Sequence, residues 1–263
     1  AALNSKLNME KRGIAVDIIK ELLKDVPLPR MVKIRQSFNA EEILDVSAAL
    51  SAALEGSGQL AQIRPGMNIA IAAGSRGVAQ LPALVRTTVA EVKKQGANPF
   101  IVPAMGSHGG ATAAGQAEVL AHLGVTEQSV GCPIVSSMEV VEITRLPNGM
   151  PVYIDKNAYQ ADGIIVINRI KPHTAFRGPN ESGLVKMITI GLGKQKGAES
   201  CHAYGFKHMH CLIPAMAEEV LKLAPIMFGI ATVENAYDHV AKVIVAGAAD
   251  LIETDRQLLV EAK

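Results

Sequence analysis

From Met67 onward, apolar and polar positions along the chain settle into a regular alternation of strand and helix patterns. Ile69 to Ala72 is a short unbroken apolar run, as expected of a strand buried on both faces. The loop Ala73-Gly74-Ser75-Arg76-Gly77 follows it, then a helix to Gln95, the turn Gly96-Ala97-Asn98-Pro99 and a second strand, Phe100 to Val102. That is a βαβ unit. It repeats through the loop 104–110 into an Ala-rich helix from about Thr112 to Leu123. Ile164-Ile165-Val166-Ile167 is the clearest β-branched run, and Pro172 ends regular pairing beyond it. A helix from about Leu212 to Leu223, strands Ile226–Val233 and Val240–Val245, and a helix near 249–261 complete the pattern.

Two regions depart from this rhythm. Residues 130–160 read as a β-rich excursion, with strands in Val135–Ile143 and Val152–Ile154 around the turn Pro147-Asn148-Gly149. At the other end, Ile14, Ile18, Leu22 and Leu23 mark one face of an amphipathic helix stopped by Pro27 and Pro29. Met31–Arg35 alternates as an edge strand would, and a helix over about Ala40–Leu54 ends at Gly56-Ser57-Gly58. The expected architecture is α/β: a Rossmann-like three-layer domain with a mostly parallel sheet, a small β-rich excursion, and residues 1–60 packed on it as an extra layer.

Composition narrows the partners. Hydrophobic residues make up 49% of the 263, but aromatics only 3% with no Trp, so the core is aliphatic. Charge nearly cancels, 26 Lys+Arg against 25 Asp+Glu, and no global field recruits nucleic acid or a membrane surface. The expected partner is a small molecule. Cys132, Cys201 and Cys211 fit neither a disulfide framework nor a CxxC metal knuckle. No apolar run approaches the roughly 18 residues of a membrane span, and a soluble, cytoplasmic protein is expected.

Candidate chemistry collects where strands end. The loops 73–77, 104–110 and 170–178 each follow a buried-strand pattern, and parallel neighbours would gather them along one edge. Arg76, His108 and His173 would then meet. A guanidinium suits bidentate capture of a carboxylate, and two facing imidazoles suit proton transfer on opposite faces of one carbon. Seven residues between Gly183 and Gly197 are Gly or Lys, including Lys186, Gly191, Gly193, Lys194 and Lys196, which reads as a loop for an anionic ligand.

Familiar motifs fail. Gly191-Leu192-Gly193-Lys194-Gln195 is no P-loop, because Ile188 stands at the first glycine and Gln195 where Ser or Thr must hold magnesium. Gly197 comes one residue too late for G-x-G-x-x-G, and Met105 occupies the first glycine of a nucleophile elbow around Ser107. Cys201, His202, His208, His210 and Cys211 are dense enough for a soft metal without repeating a metal-site spacing. Of these, His202 is retained and the others read as helix-start and packing residues. His122 and His239 read as solvated.

Taken together, Gly106-Ser107-His108, Lys171-Pro172-His173, Lys186 in Gly183-Leu184-Val185-Lys186, and His202 sixteen positions after that lysine resemble the nickel-pincer lactate racemase family. The resemblance runs from about residue 10 onward and covers that family's N-terminal domain, the C-terminal domain being expected to lie outside this chain. It implies a 2-hydroxy acid racemase or epimerase, an isomerase whose isolated N-terminal domain is inactive. The implied cofactor is a nickel-pincer nucleotide joined covalently to Lys186, with His202 on nickel and Lys194, Gly191 and Gly193 around its phosphate. His108 and His173 would form the acid/base pair and Arg76 would hold the substrate. Cofactor-biosynthesis proteins and a second copy of the chain are implied as partners. Ala73 and Gly109 stand where the family has an aspartate and an arginine, so a hydroxy acid larger or less polar than lactate is expected. Two other readings stay open, an NAD(P)-dependent oxidoreductase and a non-catalytic nucleotide-binding module.

Overall fold

Five strands make the central sheet of a computed structural model that describes residues 17–27, 29–75 and 77–263. β1 (Asn68–Ala73), β2 (Asn98–Pro103), β5 (Gly163–Arg169) and β6 (Ile226–Glu234) run parallel, and β7 (Val240–Gly247) returns antiparallel beside β6. The order across the sheet is β2-β1-β5-β6-β7. A separate antiparallel hairpin, β3 (Val140–Arg145) with β4 (Pro151–Asp155), is the expected β-rich excursion.

Side chains of the parallel strands alternate between two cores. Ala70, Ala72, Val102, Ile164 and Val166 face one; Ile69, Ile71, Ile101, Ile165 and Ile167 face the other. With helices on both sides, β5 has no solvent face, which is why Ile164 to Ile167 form an unbroken apolar run. The second core is covered by α1 (Val46–Ser57), α2 (Leu81–Lys94) and Leu120 of α3 (Ala113–His122), with the short α4 (Glu127–Val130) beyond. The first is covered by the hairpin, α5 (Lys156–Tyr159), α6 (Leu184–Lys186), α7 (Lys194–His202), α8 (Phe206–Leu223) and α9 (Leu251–Glu261).

Three expectations need correction. The first concerns the N-terminal segment, which divides between two compact units, Ala1–Ser37 and Phe38–Lys263. In the first unit, residues 17–23 are helical with Ile18, Leu22 and Leu23 exposed, while Ile14 lies outside the described residues. Met31–Arg35 is not a strand: Met31, Val32 and Ile34 are all more than 80% exposed, and alternation alone does not build a ladder. In the second unit, α1 starts at Val46 rather than Ala40, because the Asp45 carboxylate accepts from Ala48 N at 2.9 Å and caps the helix there.

The second correction is the Gly/Lys-rich stretch 183–197, which is helical rather than an open loop. α6 passes into a π-helical turn, Met187–Gly191, and then into α7. Every residue of that turn is buried, so no amphipathic stripe marks it. The third is α8, which begins at Phe206 and carries Pro214 inside it, where a start at Leu212 would have placed that proline in the first turn. Among the described residues, no helix is long and apolar enough to cross a membrane.

Candidate functional site

β2 lies on one side of β1 and β5 on the other, so the connections leaving β1 and β5 diverge and open a crevice beyond their carboxyl ends. Ala73 of β1 is in register with Pro103 of β2 and with Ile167 of β5, which brings the three following loops to one edge. The crevice there is a cleft of about 390 Å³. His108, His173, Lys186, Gly191 and His202 all line it. Arg76 lies outside the described residues.

His108 comes from the loop after β2. Its Nδ1 is hydrogen-bonded to Ser75 Oγ, which projects from the loop after β1. The loop backbone is held from below by Gln116, buried on α3, whose Nε2 donates to Gly106 O at 2.8 Å and His108 O at 3.2 Å. Gly106 N donates to Gly191 O at 3.1 Å, tying the loop to the π-helical turn. Gly109 has φ +65°, and a Cβ there would lie 2.6 Å from the Gly115 carbonyl carbon. An arginine cannot occupy position 109 on this backbone.

His173 sits in the loop after β5. Its backbone N–H donates to Glu181 Oε2 at 2.7 Å, and its Nδ1 accepts from Ala175 N at 3.1 Å, which assigns the ring proton to Nε2. The ring packs on Phe176 with centroids 4.4 Å apart. Desolvation first, and then the charge of Lys186, push its pKa down to about 4. Glu181 is itself buried; burial pushes its pKa up, but the Lys263 ammonium and the N–H groups of His173 and Gly178 outweigh that and hold it low.

Lys186 closes α6 between the buried side chains of Val185 and Met187. Asp255, reaching from α9, accepts from Val185 N at 3.2 Å and from Asn180 Nδ2 at 2.9 Å. Gly183 lets that carboxylate approach, since a Cβ there would lie 2.2 Å from Asp255 Oδ2. His202, exposed at the end of α7, has its pKa lowered by partial desolvation and then by Lys186. Phe206 stands between the two imidazoles, its ring 5.8 Å from His202 and 6.3 Å from His173.

Lys194 is elsewhere. Expected in a polar, flexible setting around a phosphate, it is 0% exposed and does not line the cleft, and neither does Gly193. Its Nζ donates to Pro103 O and, at 3.0 Å, to Gln116 Oε1, and lies 3.3 Å from Asp155 Oδ2. Burial lowers the lysine's pKa, opposed by Asp155, and raises the aspartate's, opposed by Lys194. The stretch 184–197 is therefore mostly helical, with Lys194 consumed inside the fold, rather than an open loop presenting its lysines. Lys196 remains exposed, 6.0 Å from the centroid of the Tyr153 ring.

Several groups that shape the cleft carry no sequence signal: Ser75, Phe206, Gln116, Glu181 and Asp255. Arg169 also lines it, but its guanidinium is engaged by Glu234 and lies 3.6 Å from Asp238. Among the described residues no three His, Cys, Asp or Glu side chains gather as a metal site, and His208, His210 and Cys211 are exposed.

Residues 16–211 match the model of the lactate racemase N-terminal domain. The chain belongs to the lactate racemase family. No curated protein matches it. Among solved structures, the lactate racemase apoprotein from Thermoanaerobacterium thermosaccharolyticum is similar, with a TM-score of 0.62 at 17% identity. The similarity covers 83% of this chain and 56% of that one, so the chain spans little more than half the length of this lactate racemase. At that identity it is the fold that is shared.

Proposed function

We propose that this chain is the cofactor-bearing part of a 2-hydroxy acid racemase or epimerase, with His108 and His173 as the acid/base pair. The observation that carries the reading is that these two imidazoles, Lys186 and His202 share one cleft at the switch point of a parallel sheet. Family membership adds the reaction class.

The residues fit the nickel-pincer nucleotide that the family resemblance implies. Lys186 offers an amine at the cleft between buried neighbours, and His202 offers one imidazole for nickel. The sulfur arms of the cofactor would supply further donors beside that imidazole. When bound, the group supplies a reversible hydride acceptor for the substrate α-carbon. The chain's own residues move the proton. If His108 Nδ1 donates to Ser75 Oγ, Nε2 is left with a lone pair that can take the substrate hydroxyl proton. His173, kept neutral by desolvation, carries its proton on Nε2 and acts as base either through Nδ1 once that atom is released from Ala175 N–H, or through Nε2 once its proton has moved to Nδ1. Each would serve one stereoisomer.

The cleft also bears on the substrate. Met105, Met187, Ile190 and Phe206 give it apolar walls, and position 109 excludes an arginine. A hydroxy acid with a larger apolar substituent than lactate fits that lining. The test is expression in a strain able to make the cofactor, reading intact mass, nickel content and exchange of the α-hydrogen in a panel of 2-hydroxy acids. The adduct and nickel should be present in the wild type and absent in Lys186→Ala, and His202→Ala should lose nickel. An adduct persisting in Lys186→Ala overturns the anchor, and no exchange by a loaded protein overturns the racemase.

A further inference from the structure

We propose that Lys194 is a positioning residue for His108, acting through Gln116. The side chain is fully buried and leaves a residue with φ +54°, a backbone conformation that a non-glycine residue adopts at a cost. What it reaches explains why the conformation is kept. Its ammonium donates to Pro103 O, the last residue of β2, where the His108 loop departs, and to Gln116 Oε1 at 3.0 Å.

The second contact decides which way Gln116 points. A buried amide can present its oxygen or its nitrogen to either side. Lys194 can only donate, so the oxygen faces it and the nitrogen faces the loop. There Nε2 donates to Gly106 O at 2.8 Å and His108 O at 3.2 Å. One lysine therefore holds three carbonyls of the 103–108 segment, one directly and two through the glutamine. Asp155 supplies the countercharge from β4.

Lys194 also stands just beyond the π-helical turn, after Leu192 and Gly193, in the segment that carries Lys186. Side chain and backbone together set the distance between the lysine turn and the imidazole across the cleft. The catalytic meaning of this rests on the reading of His108 given above. The geometry, and its test, do not.

The experiment uses the 263-residue chain labelled with nitrogen-15 and carbon-13 in its histidine rings. Gln116→Met keeps the volume and the Lys194–Asp155 pair but removes both donors to the loop. With His108 no longer held against Ser75, its ring nitrogen shifts should move toward the average of the two tautomers and its titration midpoint should shift. His122, on the same helix as Gln116, and His173 should stay where they are. His108 shifts and midpoint unchanged in folded Gln116→Met would overturn the proposal. If that variant does not fold, the double replacement Lys194→Met with Asp155→Leu, which leaves no lone buried charge, decides by the same readout. A protein that never takes up cofactor would leave this result intact, so failure of the racemase reading and failure of the relay are separable.

Discussion

The imidazole of His173 lies on the ring of Phe176, centroids 4.4 Å apart and planes inclined by 33°, with the Lys186 charge acting on it as well. Its pKa is consequently about 4 against an ordinary 6.5. The unfolded chain binds the proton more readily, so His173 contributes stability above pH 6.5 that is lost as pH falls toward 4. Ring carbon NMR should show one histidine titrating near 4, and Lys186→Met should raise the midpoints of both His173 and His202. Midpoints unmoved by that change would remove Lys186 from their electrostatics.

Glu181→Gln should loosen the His173 loop. The carboxylate accepts from His173 N at 2.7 Å, Gly178 N at 3.3 Å and Lys263 Nζ at 2.8 Å, and charged hydrogen bonds of this kind contribute about 1.5–3 kcal/mol each. The amide keeps some of them, so a loss of about 2 kcal/mol is expected in urea unfolding, with faster amide exchange at His173. Wild-type exchange at that amide would show that Glu181 does not hold it.

Gly183→Ala should destabilise the lysine turn from behind. Its Cβ would meet the side-chain ends Asp255 Oδ2 at 2.2 Å and Ile170 Cδ1 at 2.4 Å, and both side chains are buried, with the carboxylate also held by Val185 N and Asn180 Nδ2. Overpacking of this kind costs about 1–3 kcal/mol. Thermal unfolding at wild-type temperature would mean that α9 swings away more easily than its contacts imply.

Lys194→Ala should cost about 3–5 kcal/mol, because it strands Asp155 in the core, while the joint replacement of both residues by apolar ones should cost much less. Denaturant curves for the two variants make the comparison. Equal losses would show that the packing of the lysine stem, rather than its charge, is what matters.

The sequence carries the sheet because β1 and β5 are buried on both faces and must be written in Ile, Val and Ala. It also shows which loops can meet, since parallel neighbours send their carboxyl ends the same way, and that logic leads to His108 and His173. It hides the helical character of the stretch 184–202, because burial on all sides erases the helical stripe of the π-helical turn Met187–Gly191 and glycines in close packing read as a flexible loop. Lys194 is misleading for a related reason. Its partner Gln116 lies 78 residues away, and nothing local distinguishes a buried lysine from a phosphate-binding one. Asp255 and Glu181 are silent in the same way, and Phe206 acquires meaning only from the two rings beside it.

The two tethers behind the cleft, Asp255 to Val185 and Lys263 to Glu181, span 70 and 82 residues of sequence. Neither contact can form until both of its ends are present, and closing loops of that length slows folding. During synthesis at roughly 5–20 residues per second, several seconds separate the emergence of the lysine turn from that of the helix that pins it. Until then Lys186 and His173 belong to a chain whose sheet can already be pairing but whose cleft has no back wall. Any partner that must reach Lys186 before that wall is in place has that interval in which to do so.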